Sequence, residues 1–261
     1  MKSPARIVCL TPETVETLYL LGAGARIAGV SGYAVRPPEA RRKPRVAAFT
    51  TAHIDRILAL KPDLVLGFSD LQAEIVRDLV KAGVEVHVFN QRDIASILAM
   101  IRTLGRLVGA EAKAQSLVAS LEKRLASARK IGAKLEHHPR VYFEEWDEPP
   151  ICGIRWVSEL IEFAGGKDVF AARARGGVAS ERVVSHREIV TAAPDIIIGS
   201  WCGKKFRPER VVSRPGFGQI PAIRTERLFE IKSAIILQPG PGALSLGLNA
   251  VEKIIKGWRK S

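Results

Sequence analysis

Large aromatic side chains follow several apolar segments that are typical of β-strands, in loops where an exposed ring could contact a ligand. In open parallel sheets, ligands bind outside the carboxyl ends of the strands, and exposed aromatic residues mark binding surfaces. We therefore expect these residues to line one ligand cleft; the alternative is that each ring packs beneath its own loop. The candidates are Tyr33, Phe49, Phe68, Trp146 and Trp201, with Cys202 and Gly242 in loops of the same kind.

Residues that could carry catalysis are sparse and lack catalytic spacing. The sequence holds no HExxH, CxxC, P-loop or GxSxG motif. Cys202 has no histidine near it in the sequence, so we interpret it as a small residue of a cleft wall, with a nucleophile as the alternative. The acidic run Glu144–Glu148 could bind a cation, but we interpret it as a solvated loop. No catalytic residue, catalytic cofactor or metal site is therefore predicted.

Alternating strand and helix signals in the first third of the chain predict an α/β fold with a parallel sheet. From Asp93 to Lys134, apolar residues recur every three or four positions, which predicts one long helix, or two with a bend near Gly105 or Gly109. The predicted strands of the first third are Arg6–Leu10, Ile27–Val30, Leu64–Gly67 and Val84–Phe89.

An internal repeat indicates that the α/β unit occurs twice. IDRILALKPDLVLG (Ile54–Gly67) is matched by HREIVTAAPDIIIG (His186–Gly199), and in both a short helix stops at Pro-Asp before an apolar strand. We predict two similar Rossmann-like lobes with parallel sheets, at 1–92 and 135–261, joined by one long spine helix at 93–134, with the ligand cleft between the lobes. The predicted strands of the second lobe are Arg140–Phe143, Ile196–Gly199, Arg227–Phe229 and Ala234–Leu237, before a closing helix at Leu244–Trp258.

The composition is strongly basic, yet it does not predict nucleic-acid binding. The 261 residues include 40 Lys and Arg against 27 Asp and Glu, a net charge of +13. The cations are scattered over loops and form no dense stripe or known binding motif. No apolar run is long enough to span a membrane, and three widely spaced cysteines predict no disulfide framework. We expect a monomer, cytoplasmic as the sequence is written, or periplasmic if an export signal has been removed.

Four stretches of the chain resemble class III substrate-binding proteins, which serve ABC importers for vitamin B12, haem and ferric siderophores. The sequences at 7–33 and 45–70, ending in VSGY and LVLGFSD, look like the first lobe of that family. Those at 142–170 and 183–206, which include YFEEWDEPP and IIIGSWCGKKF, look like the second lobe. The resemblance is strongest to the vitamin B12-binding branch, because of Ser31-Gly32-Tyr33, Trp146 with Pro149-Pro150, and Ser200–Lys204.

The resemblance implies roles for individual residues. Tyr33 matches the cleft tyrosine of the first lobe, and Phe49 and Phe68 fall where the family carries tryptophans. Trp146 and Trp201 would supply the wall of the second lobe.

The resemblance also implies docking on a transporter through one acidic residue at the top of each lobe. Asp55 fits the first position, and the second falls on Glu188 or its neighbour, because a strict count from Pro194 places Arg187 there.

The leading hypothesis is a non-enzymatic protein that binds a corrinoid such as cobalamin, either for delivery to an ABC importer permease or as a soluble carrier. One alternative keeps the fold but replaces the ligand by haem, with Tyr33 as a possible iron ligand, or by a ferric siderophore. A second alternative is a cofactor-using enzyme on a related two-lobed metal-site fold, with Cys202 or the acidic run as active groups.

Overall fold

The computed structural model describes residues 3–258 and divides the chain into two compact units. Unit 1 comprises the chain up to Leu121 together with Pro239–Pro241, and unit 2 comprises Glu122–Gln238 and the chain from Gly242 onward. The boundaries predicted at residues 92 and 134 stay a prediction. Among the described residues, no helix is long and apolar enough to cross a membrane.

Unit 1 is built on a parallel five-stranded sheet whose strand order is β3-β2-β1-β4-β5. The order reverses between β1 and β4, which is where ligand crevices form in sheets of this type. The strands are β1 (Ile7–Cys9), β2 (Ile27–Ser31), β3 (Arg45–Ala47), β4 (Leu64–Phe68) and β5 (Val86–Phe89). The helices are α1 (Pro12–Leu20), α2 (Ile54–Ala59), α3 (Ala73–Lys81) and α4 (Ile94–Leu107).

The predicted spine is two helices rather than one long helix. Helix α4 begins at Ile94 and is capped by Asp93, whose carboxylate accepts a hydrogen bond from the Ser96 amide. It ends before Gly109, whose positive φ of 65° is incompatible with a continuing right-handed helix. Helix α5 (Glu111–Gly132) follows, and the boundary between the two units falls within it.

Unit 2 also contains a five-stranded sheet, but this sheet is mixed. Strands β10, β9 and β6 are parallel neighbours, β8 pairs in parallel with β6, and β7 pairs with β6 in the antiparallel direction. The expectation of a purely parallel second sheet is therefore wrong for β7, which returns directly after a tight turn. The strands are β6 (Arg140–Asp147), β7 (Pro150–Cys152), β8 (Lys167–Asp168), β9 (Ile196–Gly199) and β10 (Leu228–Glu230).

The helices of unit 2 correct the end of the predicted topology. The apolar run Ala234–Leu237, predicted as a strand, instead forms most of the short helix α10, and Leu237 is its C-cap. The predicted closing helix starts as a π-helical segment, Ala243–Gly247, and continues as α11. The helices are α6 (Arg155–Phe163), α7 (His186–Ala192), α8 (Pro208–Val212), α9 (Pro221–Arg224), α10 (Ser233–Ile236) and α11 (Leu248–Gly257).

Each unit has its own apolar core against its sheet. In unit 1, Val8, Leu10 and Val65 pack with Ile57 of α2 and Leu79 of α3. Burial of such side chains from water is the main favourable contribution to folding. The core of unit 2 is richer in aromatic rings and includes Tyr142, Trp201, Phe206 and Phe217. The predicted α/β fold with two similar units is thus confirmed.

Candidate functional site

The strand-end loops of unit 1 carry exposed aromatic rings. Tyr33 follows β2 and is 52% exposed, and Phe49 follows β3 and is 37% exposed. Phe68, the last residue of β4, is buried, and its ring lies 6.3 Å from that of Phe49. These three aromatic residues lie at or just after the ends of β2, β3 and β4. Tyr33 and Phe49 thus expose part of their apolar surface, whereas Phe68 is buried beside Phe49.

Gln72 joins the loop of Phe49 to the end of β4. It is fully buried, its amide nitrogen donates to the Phe49 carbonyl at 2.8 Å, and its amide oxygen accepts from the Phe68 amide at 2.8 Å. Both backbone groups would otherwise lose their water partners without replacement. Gln72 was missed by sequence reasoning, because a single polar residue just before a helix carries no local sign of such a bridge.

A buried acid lies at the end of β1, where the order of the unit 1 sheet reverses. Glu13, in the first turn of α1, is buried, and burial raises the pKa of its carboxyl group to about 7. A Cβ at Gly240 would lie 2.7 Å from the Glu13 Cβ, so only glycine fits there. The Gln91 amide donates to the Pro239 carbonyl at 3.1 Å. These contacts attach residues 239–241 to unit 1 beside a buried acid whose raised pKa keeps it protonated below about pH 7.

The acidic run of unit 2 is not a solvated loop. Glu144, in β6, is fully buried and forms a two-pronged ion pair with Arg214, with nitrogen–oxygen distances of 2.5 and 2.9 Å. Its carboxylate also accepts from the Tyr142 hydroxyl and the Trp201 indole N–H, each at 2.9 Å. Burial, followed by the Glu144 charge, holds the pKa of Tyr142 well above its usual range. Glu145 is paired in the same way with the buried Arg182. Three of the four acids of the run, Glu144, Glu145 and Asp147, are thus paired with cations within unit 2, whereas Glu148 is exposed.

Trp201 differs from the expectation that its ring face stacks on a ligand. Only 2% of the residue is exposed, and its ring makes a T-shaped contact with that of Phe206, with centroids 5.1 Å apart. A ring whose surface is already covered has little apolar area to offer a ligand. Trp201 therefore positions its loop through Glu144 and the core.

Trp146, in contrast to Trp201, is half-buried and lies near the surface. Its indole N–H donates to the Glu148 carbonyl at 2.9 Å, and the Lys204 ammonium lies 3.7 Å from its ring centroid. Lys204 also pairs with the buried carboxylate of Asp147, which Arg210 contacts at 2.9 Å. Burial alone would raise the pKa of Asp147, but the bond from Lys204 and the nearby cations hold it below its usual value.

The remaining candidates of unit 2 have different surroundings. Cys202 is an exposed free thiol in the loop after β9, and its amide donates to the Glu145 carbonyl at 3.2 Å. Gly242 is buried and precedes the π-helical segment. Within residues 3–258, no three His, Cys, Asp or Glu side chains lie together in a way that could hold a metal ion.

The two candidate docking residues are not equivalent. Asp55 is exposed in the first turn of α2. Glu188 caps its own helix, since its carboxylate accepts from the Ser185 amide at 2.7 Å, and it also pairs with Arg173 at 2.7 Å. Arg187, beside it, is exposed. The Glu188 carboxylate is thus already paired within unit 2.

Two α/β units with aromatic side chains near their strand ends form an arrangement that suits ligand binding. A comparison with known families agrees: the chain belongs to the periplasmic binding protein family, whose model matches residues 7–235. The predicted class of non-enzymatic binding protein is confirmed, and the enzyme alternative is wrong.

Individual relatives extend over nearly the whole chain. It is 26% identical to a vitamin B12-binding protein of Vibrio parahaemolyticus, over 98% of this chain and 91% of that protein. It is 25% identical to an uncharacterized ABC transporter substrate-binding lipoprotein of Bacillus subtilis, over 92% of this chain and 76% of that protein. Among solved structures, a periplasmic haem-binding protein of Roseiflexus superposes with a TM-score of 0.80 at 24% identity, covering 96% of this chain and 98% of that one.

The raised pKa of Glu13 predicts a pH-dependent difference in stability between the wild type and Glu13→Gln. An unfolded glutamate loses its proton near pH ~4.3, whereas folded Glu13 keeps it until about pH 7. In that window the folded state binds more protons, so the wild-type free energy of unfolding falls as pH rises. Glutamine cannot ionise, so the stability of Glu13→Gln relative to the wild type should rise from pH 4 to pH 7 and then level off.

Urea denaturation at a series of pH values measures this difference. Glu39→Gln, which removes an exposed glutamate of the same unit, is the matched control for the loss of one acid. Parallel pH curves for Glu13→Gln and the wild type would show that Glu13 is not the group responsible.

The second prediction concerns the Glu144 anchor. Glu144→Gln leaves the buried Arg214 guanidinium without its counter-charge, which should lower the free energy of unfolding by about 3–5 kcal/mol. Glu148→Gln, a substitution in the same acidic run, is the control because the Glu148 side chain is 84% exposed. The anchor account fails if urea denaturation finds the two variants equally stable.

Proposed function

We propose that this protein binds a corrinoid such as vitamin B12 through its strand-end loops. The observation that carries the proposal is the aromatic surface near the strand ends of both units, with the exposed Tyr33 and Phe49 in unit 1 and the half-buried Trp146 in unit 2. Flat aromatic rings suit a large apolar macrocycle, since they gain from stacking and from exclusion of water. The vitamin B12-binding relative, similar over nearly the full length, supports this choice of ligand.

Haem is the second candidate, favoured by one specific feature. Tyr33 carries a phenol oxygen on a half-exposed ring, and tyrosine is a known axial ligand of haem iron. A ferric siderophore would use the same loops. These ligands differ in their metal and in their charge, so direct binding measurements separate them.

We further propose that the protein delivers its ligand to an ABC importer permease outside the cytoplasmic membrane. The name of the Bacillus subtilis relative supports this partner. Asp55 is the side chain that we propose for the contact in unit 1, because it is exposed at the start of α2. In unit 2 the exposed cation Arg187, rather than the already paired Glu188, would face the permease.

The function is tested by calorimetric titration of the protein with cyanocobalamin, hemin and a ferric siderophore. We expect saturable binding of cyanocobalamin, weakened about tenfold or more (~1.4 kcal/mol) by Phe49→Ala and by Trp146→Ala. Phe229→Ala is the matched control, because Phe229 lies in strand β10 and is 37% exposed, like Phe49. Binding of hemin without binding of cyanocobalamin would contradict the corrinoid proposal.

A further inference from the structure

A cation already lies over the ring of Trp146. The Lys204 ammonium lies 3.7 Å from the ring centroid, within the range of a cation–π contact, and it also pairs with Asp147. A neutral macrocycle that stacked on this ring would have to displace Lys204 from both partners. The position of Lys204 therefore bears directly on which ligands unit 2 accepts.

The cations around Asp147 exceed the buried negative charge. Lys204 and Arg210 share its single carboxylate. The neighbouring acids do not offset the second cation, because the buried Glu144 is paired with Arg214 and the half-buried Glu145 with Arg182. The nearest further acid of the run, Glu148, is 84% exposed and lies 3.8 Å from Arg210. Lys204 thus shares its one buried counter-charge, Asp147, with Arg210, whose other partner is the exposed Glu148.

The Lys204 ammonium is accessible to a ligand. The Lys204 side chain is 35% exposed. Gly203, just before it, has a positive φ of 76° and no neighbouring atoms around the position of a Cβ. An anionic group could therefore reach Lys204 and take over its ion pair without a rearrangement of the core.

We propose that Lys204 makes unit 2 selective for ligands that carry an anionic group on their rim, which would pair with Lys204 beside the Trp146 ring. This inference rests on the proposed function. The anion could be the phosphodiester of a complete corrinoid or a carboxylate of haem, two sources of the same charge. Lys204 is then a specificity-determining residue, since an ion pair with a partly buried ammonium is made only by a ligand of opposite charge.

The test measures affinity by titration calorimetry for three ligands: cyanocobalamin, cobinamide (the same corrin without the phosphodiester-linked nucleotide) and hemin. The wild type should prefer cyanocobalamin to cobinamide. Lys204→Met should weaken cyanocobalamin binding about tenfold and leave cobinamide binding nearly unchanged. Lys204→Arg, which keeps the charge, should retain the preference. Lys205→Met removes an exposed cation next to it and should change neither affinity.

The outcomes separate this inference from the proposed function. If the wild type binds hemin but neither corrin, the corrinoid proposal fails, and the inference stands only if Lys204→Met weakens hemin binding by a similar factor. Equal affinity of the wild type for cyanocobalamin and cobinamide overturns the inference while leaving the corrinoid proposal intact. Tighter cyanocobalamin binding by Lys204→Met would also overturn it, as would a wild type that binds neither anionic ligand. Thermal unfolding of each variant shows that a change in affinity does not reflect loss of the fold.

Discussion

In each unit, the position of the aromatic side chains near the strand ends depends on one buried side chain that bonds to two chain segments at once. In unit 1 this is Gln72, whose amide joins the loop of Phe49 to the end of β4. In unit 2 it is Glu144, which joins β6 to Trp201 and Arg214. The chemistry differs, because an amide satisfies both backbone groups without charge, whereas a buried carboxylate is tolerated only with its counter-ion. Unit 2 thus depends on a residue, Arg214, that lies far along the chain.

The internal repeat places equivalent elements in both units, but the two copies have diverged in chemistry. Helix α2 and strand β4 in unit 1 correspond to α7 and β9 in unit 2. At the start of these helices stand Asp55 and Arg187, side chains of opposite charge. Near the strand ends, by contrast, each unit places a cation over an aromatic ring: Arg92 over Phe68 in unit 1 and Lys204 over Trp146 in unit 2. The two copies therefore differ in charge at the start of the repeated helix and share this kind of contact near the strand ends.

Much of the fold could be predicted from local sequence, because short apolar runs bounded by Pro, Asp and Gly identify buried strands. The run Ala234–Leu237 was misassigned because four apolar residues fit a strand and one helical turn equally well. Strand β3 was missed because its three residues follow a basic, proline-rich loop.

The site was predictable only in part. Pattern reasoning found Tyr33, Phe49 and Trp146 near the surface, but it could not foresee that Trp201 is buried. It also missed Gln72 and Arg214, because their partners are set by tertiary packing; Arg214 lies 70 residues from Glu144. Composition led to the interpretation of Glu144–Glu148 as solvated, since five residues with four acids resemble a surface loop until their arginine and lysine partners are known.

Hydrogen–deuterium exchange of the protein with and without saturating cyanocobalamin tests the central claim most directly, because it locates the contacts without any substitution. Ligand bound by the strand-end loops should slow exchange in the segments around Tyr33, Phe49 and Trp146 and in the loop containing Lys204, with little change in the cores of the two sheets. Protection confined to other surfaces, or none at all at a saturating concentration, would contradict the account.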